Sequence, residues 1–287
     1  GLEMDGGTRM SEPISIATSR TGEGLAFRVY GRKRREADPA VVLLHGFCGS
    51  SAYWEETLPH LDGAGLFIVP DLRGHGLSAA PSGAVYAMED FADDLARLLD
   101  ALGEREAIVL GHSLGGYITL AFAEKYPGRL RGFGLVHSTA LPDTEEAKAG
   151  RDRTAKRLLE EGAAPFVAEL APKLFAEENR ARMPEKVERA VAIGLGVSPA
   201  GAAATALGMK ARPDRSALLR KAPVPALLVA GEGDAIVAPE RTFLDADGPN
   251  VRRALLAGCG HMSMMEAPAA LAETIAGFAR DVASGGA

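Results

Sequence analysis

Short runs of apolar residues recur along the chain and alternate with longer stretches of helical periodicity. Between residues 88 and 102, for example, apolar side chains repeat every three or four positions and form one stripe. The short runs contain few polar side chains, as expected for strands that are covered on both faces. They lie at 41–44, 66–69, 108–110, 130–136, 224–230 and 253–257. Strands that alternate with helices at this spacing predict an α/β fold, with a mostly parallel central sheet and helices on both faces.

Two parts of the chain depart from this alternation. Residues 14–17 and 25–30 alternate loosely between apolar and polar and are separated by glycines, which predicts an antiparallel pair at one sheet edge. In the second part no strand pattern is evident, and charged, alanine-rich segments predict helices at 143–161, 165–175, 185–195 and 200–210. We therefore divide the chain into a first core part, a helical insertion and a second core part. Their predicted bounds are 11–138, 139–215 and 216–287.

The apolar run at 108–110 stops at a glycine, is followed by Ser113, and then changes to a helical pattern. Gly111 and Gly115 flank this serine with the spacing Gly-x-Ser-x-Gly. Glycines at these two positions leave room for a sharp turn from strand to helix, because a Cβ there would clash. Such a turn exposes the hydroxyl at the end of the strand and directs a helix N-terminus at the charge that forms beside it. The sequence therefore predicts that Ser113 is a nucleophile.

A serine nucleophile needs a base that takes its proton and an acid that orients the base. In serine elbows of this type the acid and then the base follow the serine along the chain. Of the six histidines, only His137 and His261 do so, and only His261 has a carboxylate at a strand end before it. We interpret His137 as a residue at a strand end near the site. Asp234 and Glu232 both follow a buried strand, so the residues alone leave both as candidates for the acid.

Five motifs along the chain resemble, in their order, those of the alpha/beta-hydrolase superfamily. They are His-Gly-Phe at 45–47, Asp-Leu-Arg-Gly-His-Gly-Leu-Ser at 71–78, the serine motif at 111–116, Gly-Glu-Gly-Asp at 231–234 and Gly-His at 260–261. The resemblance implies an alpha/beta-hydrolase fold in which the helical insertion forms a cap above the nucleophile. It implies that Ser113, His261 and Asp234 form the catalytic triad, and it favours Asp234 over Glu232.

The same resemblance implies an oxyanion hole formed by the backbone N–H groups of Phe47 and Leu114. For the substrate pocket we consider Trp54, His137 and Met262, which are large or polar residues close in sequence to these motifs. The expected protein is a cofactor-free serine hydrolase that cleaves a small, largely apolar carboxylic ester or lactone through an acyl-enzyme. Alternatives with the same triad are a carbon–carbon bond hydrolase, a thioesterase and a perhydrolase. An alternative of another class is a small-molecule receptor with residual hydrolase activity.

Composition adds limits on partners and location. The net charge is −6 and both signs are mixed along the chain, so no basic face for a nucleic acid is expected. No apolar stretch reaches the roughly 18 residues of a membrane span, so we expect no membrane partner and a cytoplasmic protein. The two cysteines, Cys48 and Cys259, have no metal-ligand spacing, and neither a metal nor a cofactor is expected. The sequence leaves open whether the protein is a monomer or a homodimer.

Overall fold

A single eight-stranded sheet forms the centre of the protein. The computed structural model describes residues 15–18 and 24–285. Its strands are β1 Ser15–Thr18, β2 Gly24–Gly31, β3 Ala40–Leu44, β4 Leu66–Pro70, β5 Ala107–His112, β6 Leu130–Val136, β7 Ala226–Gly231 and β8 Val251–Leu256. They are ordered β1-β2-β4-β3-β5-β6-β7-β8. The pairs β1–β2 and β2–β4 are antiparallel, and the other pairs are parallel. The predicted mostly parallel sheet and its antiparallel edge pair are confirmed.

Helices cover both faces of the sheet because the central strands are apolar on both sides. Successive residues of β3 alternate between two clusters, with Val42 and Leu44 in one and Val41 and Leu43 in the other. The first cluster contains residues of α1 Met88–Ala101, α2 Leu114–Lys125 and α8 Ala217–Arg220. The second contains residues of α10 Ser263–Glu266, α11 Pro268–Ala283 and two short 3-10 helices, Ser51–Trp54 and Leu58–Leu61. A short helix, α9 Pro239–Phe243, contacts β7.

The segment between β6 and β7 is helical, as its sequence predicts. It contains α3 Glu145–Glu161, α4 Ala163–Lys173, α5 Glu177–Arg182, α6 Pro184–Gly194 and α7 Pro199–Ala211. Four of these helices lie within two residues of the predicted bounds, and α5 is a short helix that the sequence pattern did not indicate. No single helix in the described part of the chain is long and apolar enough to cross a membrane. Together α6 and α7 reach that length and composition, but they meet at an angle of 100°.

The helical insertion is attached to the core by backbone contacts around α7. The N–H of Tyr86 donates to the carbonyl of Ala204 at 3.0 Å, and the N–H of Ser198 donates to the carbonyl of Gly74 at 2.8 Å. At Gly208 the helix lies so close to the core that a Cβ would overlap the carbonyl oxygen of Tyr86. This close approach is possible only because Gly208 has no side chain.

The close contact at Gly208 predicts that alanine destabilises the protein at this position. At a helical glycine without such a contact, alanine should stabilise it. Gly208→Ala should lower the free energy of unfolding by about 1–3 kcal/mol, because the new methyl group forces α7 away from Tyr86. Gly277→Ala is the matched control in α11, where the nearest atom to an added Cβ is the Arg280 guanidinium at 3.8 Å. It should raise the free energy of unfolding by up to about 1 kcal/mol through helix propensity. Urea unfolding of both variants measures the difference, and equal effects would contradict the close approach.

Candidate active site

Ser113 lies between the end of β5 and the start of α2 in a strained backbone conformation. Its φ and ψ angles are 53° and −110°, a region that residues with a side chain rarely adopt. A Cβ at Gly111 would overlap the carbonyl oxygen of Gly115, so strand and helix cross with no space for a side chain. Neighbouring residues hold the turn from both sides. The N–H of Ser113 donates to the Val136 carbonyl at 3.0 Å, and the Ser138 hydroxyl donates to the Ser113 carbonyl at 2.7 Å.

His261 and Asp234 form a buried hydrogen-bonded pair in the loops that follow β8 and β7. His261 Nδ1 lies 2.8 Å from Asp234 Oδ2, and both side chains are at most 2% exposed. Asp234 Oδ1 accepts hydrogen bonds from two backbone N–H groups, those of Ile236 and Val237. The carboxylate is therefore fixed in orientation, and it favours the tautomer of His261 that carries its proton on Nδ1. Nε2 is then free to accept a proton.

Burial and contact with His261 distinguish the two candidates for the acid. Glu232 is exposed to solvent, whereas Asp234 is buried and contacts His261 directly. The pocket described below is lined by both Ser113 and His261. The structure thus pairs Asp234 with His261 and places Ser113 and His261 in the lining of one pocket.

A buried glutamate that the sequence analysis missed organises the loop of His261. The carboxylate of Glu266 accepts hydrogen bonds from the N–H groups of Gly260 and Met262, which lie on either side of the histidine. The same carboxylate accepts from the N–H of Ala176 and from Asn179 Nδ2, both in the helical insertion. Nothing in its sequence context distinguishes Glu266 from a solvated helical residue. Its partners are 4 to 90 residues away along the chain, so only the folded structure brings them together.

The backbone N–H groups proposed for the oxyanion hole lie in adjacent loops. Leu114 is the first residue of α2, where the N–H groups of a helix have no partner within the helix. Phe47 follows β3, which pairs in parallel with β5, so both loops leave the same edge of the sheet. Two buried histidines hold the loop of Phe47. His45 Nε2 accepts from the N–H of Leu72 at 2.9 Å, and His75 Nε2 accepts from the N–H of Cys48 at 3.1 Å.

A pocket of about 380 Å³ lies between the core and the helical insertion. Its lining is mixed, with apolar residues and several charged ones. The lining residues are Phe47, Tyr53, His112, Ser113, Tyr117, Thr139, Asp143, Thr144, Ala147, Arg151, Leu170, Leu174, Met209, Arg212, Ile236, Val237, Arg241 and His261. Apolar residues such as Leu170 and Val237 thus lie beside the charged groups of Asp143 and the arginines.

Trp54, His137 and Met262 do not line this pocket, which corrects their assignment from the sequence. Trp54 and Met262 are 0% exposed and belong to the apolar cluster between the sheet and the helices α10 and α11. His137 is also fully buried, with Nε2 2.6 Å from the Ser263 hydroxyl and Nδ1 3.7 Å from Asp234 Oδ2. Proximity along the chain did not predict their environment, because neighbouring side chains in these loops face different directions.

Three arginines that the sequence analysis did not single out line the pocket. Arg212 and Arg151 both contact the carboxylate of Asp143, at 2.8 Å and 3.0 Å. The guanidinium of Arg212 also lies 3.6 Å from the centre of the Tyr117 ring. Burial opposes the ionisation of Asp143, but its hydrogen bonds to the two arginines and their charges outweigh burial and lower its pKa. Arg241, at the end of α9, is half-buried.

Neither cysteine contributes to the lining. Cys48 and Cys259 are buried and unpaired, and burial raises the pKa of Cys259 to about 12. Thiols in such an environment are poorly reactive. Within residues 15–18 and 24–285 there is also no cluster of three or more His, Cys, Asp or Glu residues that could hold a metal ion.

Four buried histidines around the site remain neutral in the folded protein. Burial lowers the pKa of His45 to about 3 and that of His75 to about 4. Burial, together with the charge of His261, also lowers the pKa values of His112 and His137 well below the ordinary value. In the unfolded chain these groups take up protons at about pH 6.5. The stability they contribute is therefore present above about pH 6.5 and is lost as the pH falls below it.

The predicted consequence is a free energy of unfolding that falls steeply between pH 6 and pH 5. In His75→Gln one of these groups is removed, so the slope should decrease by about 1.4 kcal/mol per pH unit, although the variant is less stable at pH 7. Urea unfolding of the wild type and of His75→Gln at each pH, followed by circular dichroism, gives the slopes. Identical slopes in the two proteins would contradict the neutral state of His75.

Comparisons with known proteins agree with this architecture. A family described as alpha/beta hydrolase fold matches residues 39–268. The 2-(acetamidomethylene)succinate hydrolase of Mesorhizobium japonicum is 32% identical over 212 residues, which cover 72% of this chain and 75% of that protein. A thermophilic esterase from Thermogutta terrifontis, solved with malate bound, superposes with a TM-score of 0.87 at 36% identity, over 95% of this chain and 100% of that one. An enol-lactonase from Burkholderia xenovorans shares the fold, with a TM-score of 0.83 at 24% identity over 92% and 99% of the two chains. The chain belongs to the alpha/beta hydrolase fold family.

Proposed function

We propose that this protein is a cofactor-free serine hydrolase that cleaves a small carboxylic ester or lactone through an acyl-enzyme. The observation that carries the proposal is the buried hydrogen bond between Asp234 and His261, in a pocket that Ser113 also lines. The strained backbone of Ser113 adds support, because strain of this kind is maintained at functional residues. Membership of the hydrolase family and the names of the relatives agree with a hydrolase.

The proposed reaction has two steps with balanced proton transfers. Ser113 Oγ attacks the ester carbonyl carbon while His261 Nε2 takes the hydroxyl proton, and the N–H groups of Phe47 and Leu114 bind the oxyanion. The bond to the alcohol oxygen breaks, and the alcohol leaves with the proton from His261. Water then attacks the acyl-enzyme and gives its proton to His261, the carboxylic acid is released, and the proton returns to Ser113. Asp234 remains ionised and stabilises the cationic histidine.

Pocket size and position limit the substrate. A cavity of about 380 Å³ is at the lower end of the range for small-molecule sites, which favours a compact ester. Helices α3, α4 and α7 of the insertion contribute Ala147, Leu170 and Met209 to the lining. We infer that the insertion acts as a cap, with bounds near 139–215, and that it sets substrate preference because it forms one wall of the pocket.

Substitutions in the triad give the test of this mechanism. Ser113→Ala and His261→Ala should each lower kcat by a factor on the order of 10⁶, and the double variant by no more, because the residues act as a unit. Asp234→Asn should cost about 10⁴, since it favours the wrong tautomer of His261 but leaves the other groups in place. Glu232→Gln is the control and should retain activity, because Glu232 is exposed. Rates are measured on a panel of short-chain esters and lactones.

A fluorophosphonate probe separates the hydrolase from the receptor alternative. An activated serine reacts covalently with the probe, so mass spectrometry should locate the label on Ser113 of the wild type, with no label on Ser113→Ala. His261→Ala should also be labelled far more slowly, because the base is missing. An unlabelled wild type that still binds small molecules would favour the receptor.

A further inference from the structure

Positive charge exceeds negative charge in the lining of the pocket. Its side chains include three guanidinium groups, Arg151, Arg212 and Arg241, but a single carboxylate, that of Asp143. His112, the lining histidine with a strongly lowered pKa, is neutral. The carboxylate of Asp234 is fully buried behind His261 and is not part of the lining. Even when Asp234 is included, the positive charges exceed the negative ones by one, which favours the binding of an anion.

Arg212 is a structural member of this group. Its Nη1 donates to Asp143 and to the Met209 carbonyl, and its Nη2 donates to the Leu141 carbonyl. The side chain is 4% exposed, and its stacking on Tyr117 leaves it little freedom. Arg212 therefore holds Asp143 in place through its terminal groups, and its buried Nε has no partner among the described residues.

Arg151 and Arg241 have donors that the protein does not use. Arg151 contacts Asp143 through Nε alone, and its two terminal NH₂ groups have no partner among the described residues. The guanidinium of Arg241 has neither a hydrogen bond nor an ion pair to any described residue. Half-buried arginines elsewhere are paired, as Arg73 is with Asp94. Two guanidinium groups with free donors therefore line the same small pocket as the nucleophile.

The backbone of Arg241 is fixed although its side chain is unpaired. Its carbonyl accepts a hydrogen bond from the Thr139 hydroxyl at 2.9 Å, and its N–H donates to the Ala238 carbonyl at 2.9 Å. Thr139 follows Ser138, whose hydroxyl donates to the Ser113 carbonyl. The loop after β6 therefore connects Arg241 to the nucleophile through short hydrogen bonds. This connection fixes the backbone of Arg241 relative to that of Ser113.

We propose that the substrate carries a free carboxylate, which binds Arg241 and the terminal NH₂ groups of Arg151 while its ester group lies at Ser113. The planar fork of a guanidinium matches the two oxygens of a carboxylate. Apolar residues in the same lining, such as Leu170 and Val237, suit a short hydrocarbon spacer between the two groups. The substrate class is thus the half-ester of a short dicarboxylic acid, or a lactone with a carboxylate. This inference rests on the proposed serine hydrolase function and specifies its substrate.

Two esters of similar length test the proposal in the wild-type protein. Monomethyl glutarate carries a terminal carboxylate, and methyl pentanoate replaces it with a methyl group. The ratio of kcat/KM for the two should favour the half-ester by about 10- to 100-fold, the usual value of a hydrogen bond to a charged group. Arg241→Gln should reduce this ratio by a similar factor, mainly through KM. Equal kcat/KM for the two esters in the wild type would overturn the proposal.

Arg153→Gln provides the matched control. Arg153 lies on α3, two residues beyond Arg151, but it is exposed and does not line the pocket. Its substitution removes one positive charge from the helix that carries Arg151, so a general electrostatic effect would lower the ratio in this variant as well as in Arg241→Gln. Specific recognition predicts that Arg153→Gln keeps the wild-type ratio. Equal losses in the two variants would contradict direct binding.

A binding measurement distinguishes failure of this inference from failure of the proposed function. Calorimetry of glutarate with the Ser113→Ala protein needs no catalysis, and the affinity should fall by about 10- to 100-fold when Arg241→Gln is added. If glutarate binding depends on Arg241 but Ser113 of the wild type does not react with the fluorophosphonate, the carboxylate site is supported and the hydrolase function is rejected. If Ser113 of the wild type reacts with the probe but glutarate does not bind to the Ser113→Ala protein, the hydrolase function is supported and the carboxylate site is rejected.

Discussion

The structure depends on one steric constraint, the crossing of β5 and α2 at Gly111. Because no side chain fits between the strand and the helix, the chain turns within one residue, and Ser113 takes a conformation with positive φ. The cost of that conformation is of order 1–3 kcal/mol, and the surrounding hydrogen bonds maintain it. The parallel strands bring the other residues of the site close to Ser113. The loops after β3, β5, β7 and β8 leave the same edge, so Phe47, Asp234 and His261 come together around the serine.

The loop of His261 and the helical insertion are held by the same buried carboxylate. Glu266 binds the N–H groups on both sides of His261, and it binds Ala176 and Asn179 of the insertion. The N–H of His261 itself donates to the Leu174 carbonyl at 2.9 Å. Displacement of the insertion would therefore disturb the position of His261. In this molecule, hydrogen bonds connect one wall of the pocket to the loop of His261.

The two walls of the pocket differ in charge because they are formed by different parts of the chain. On the core wall, burial keeps His112 unprotonated, and the Asp234–His261 pair is enclosed. The insertion contributes the ion-paired group of Asp143, Arg151 and Arg212, and the loop after β7 leads to Arg241. The charged groups of the lining thus come from the insertion and from α9, and the residues of the proposed triad come from the core.

Local patterns in the sequence determined the fold class and predicted Ser113 as the nucleophile and His261 as the base. The apolar runs and the Gly-x-Ser-x-Gly spacing act over fewer than ten residues, so they can be interpreted without long-range contacts. Tertiary structure alone decided which residues line the pocket. Trp54 and Met262 pack in the core, whereas Arg151 and Arg241, 90 residues apart in the chain, line one cavity. The physical reason is that a charged helical residue has the same sequence signature at a surface and at a pocket. Only the packing of the insertion on the sheet distinguishes the two environments.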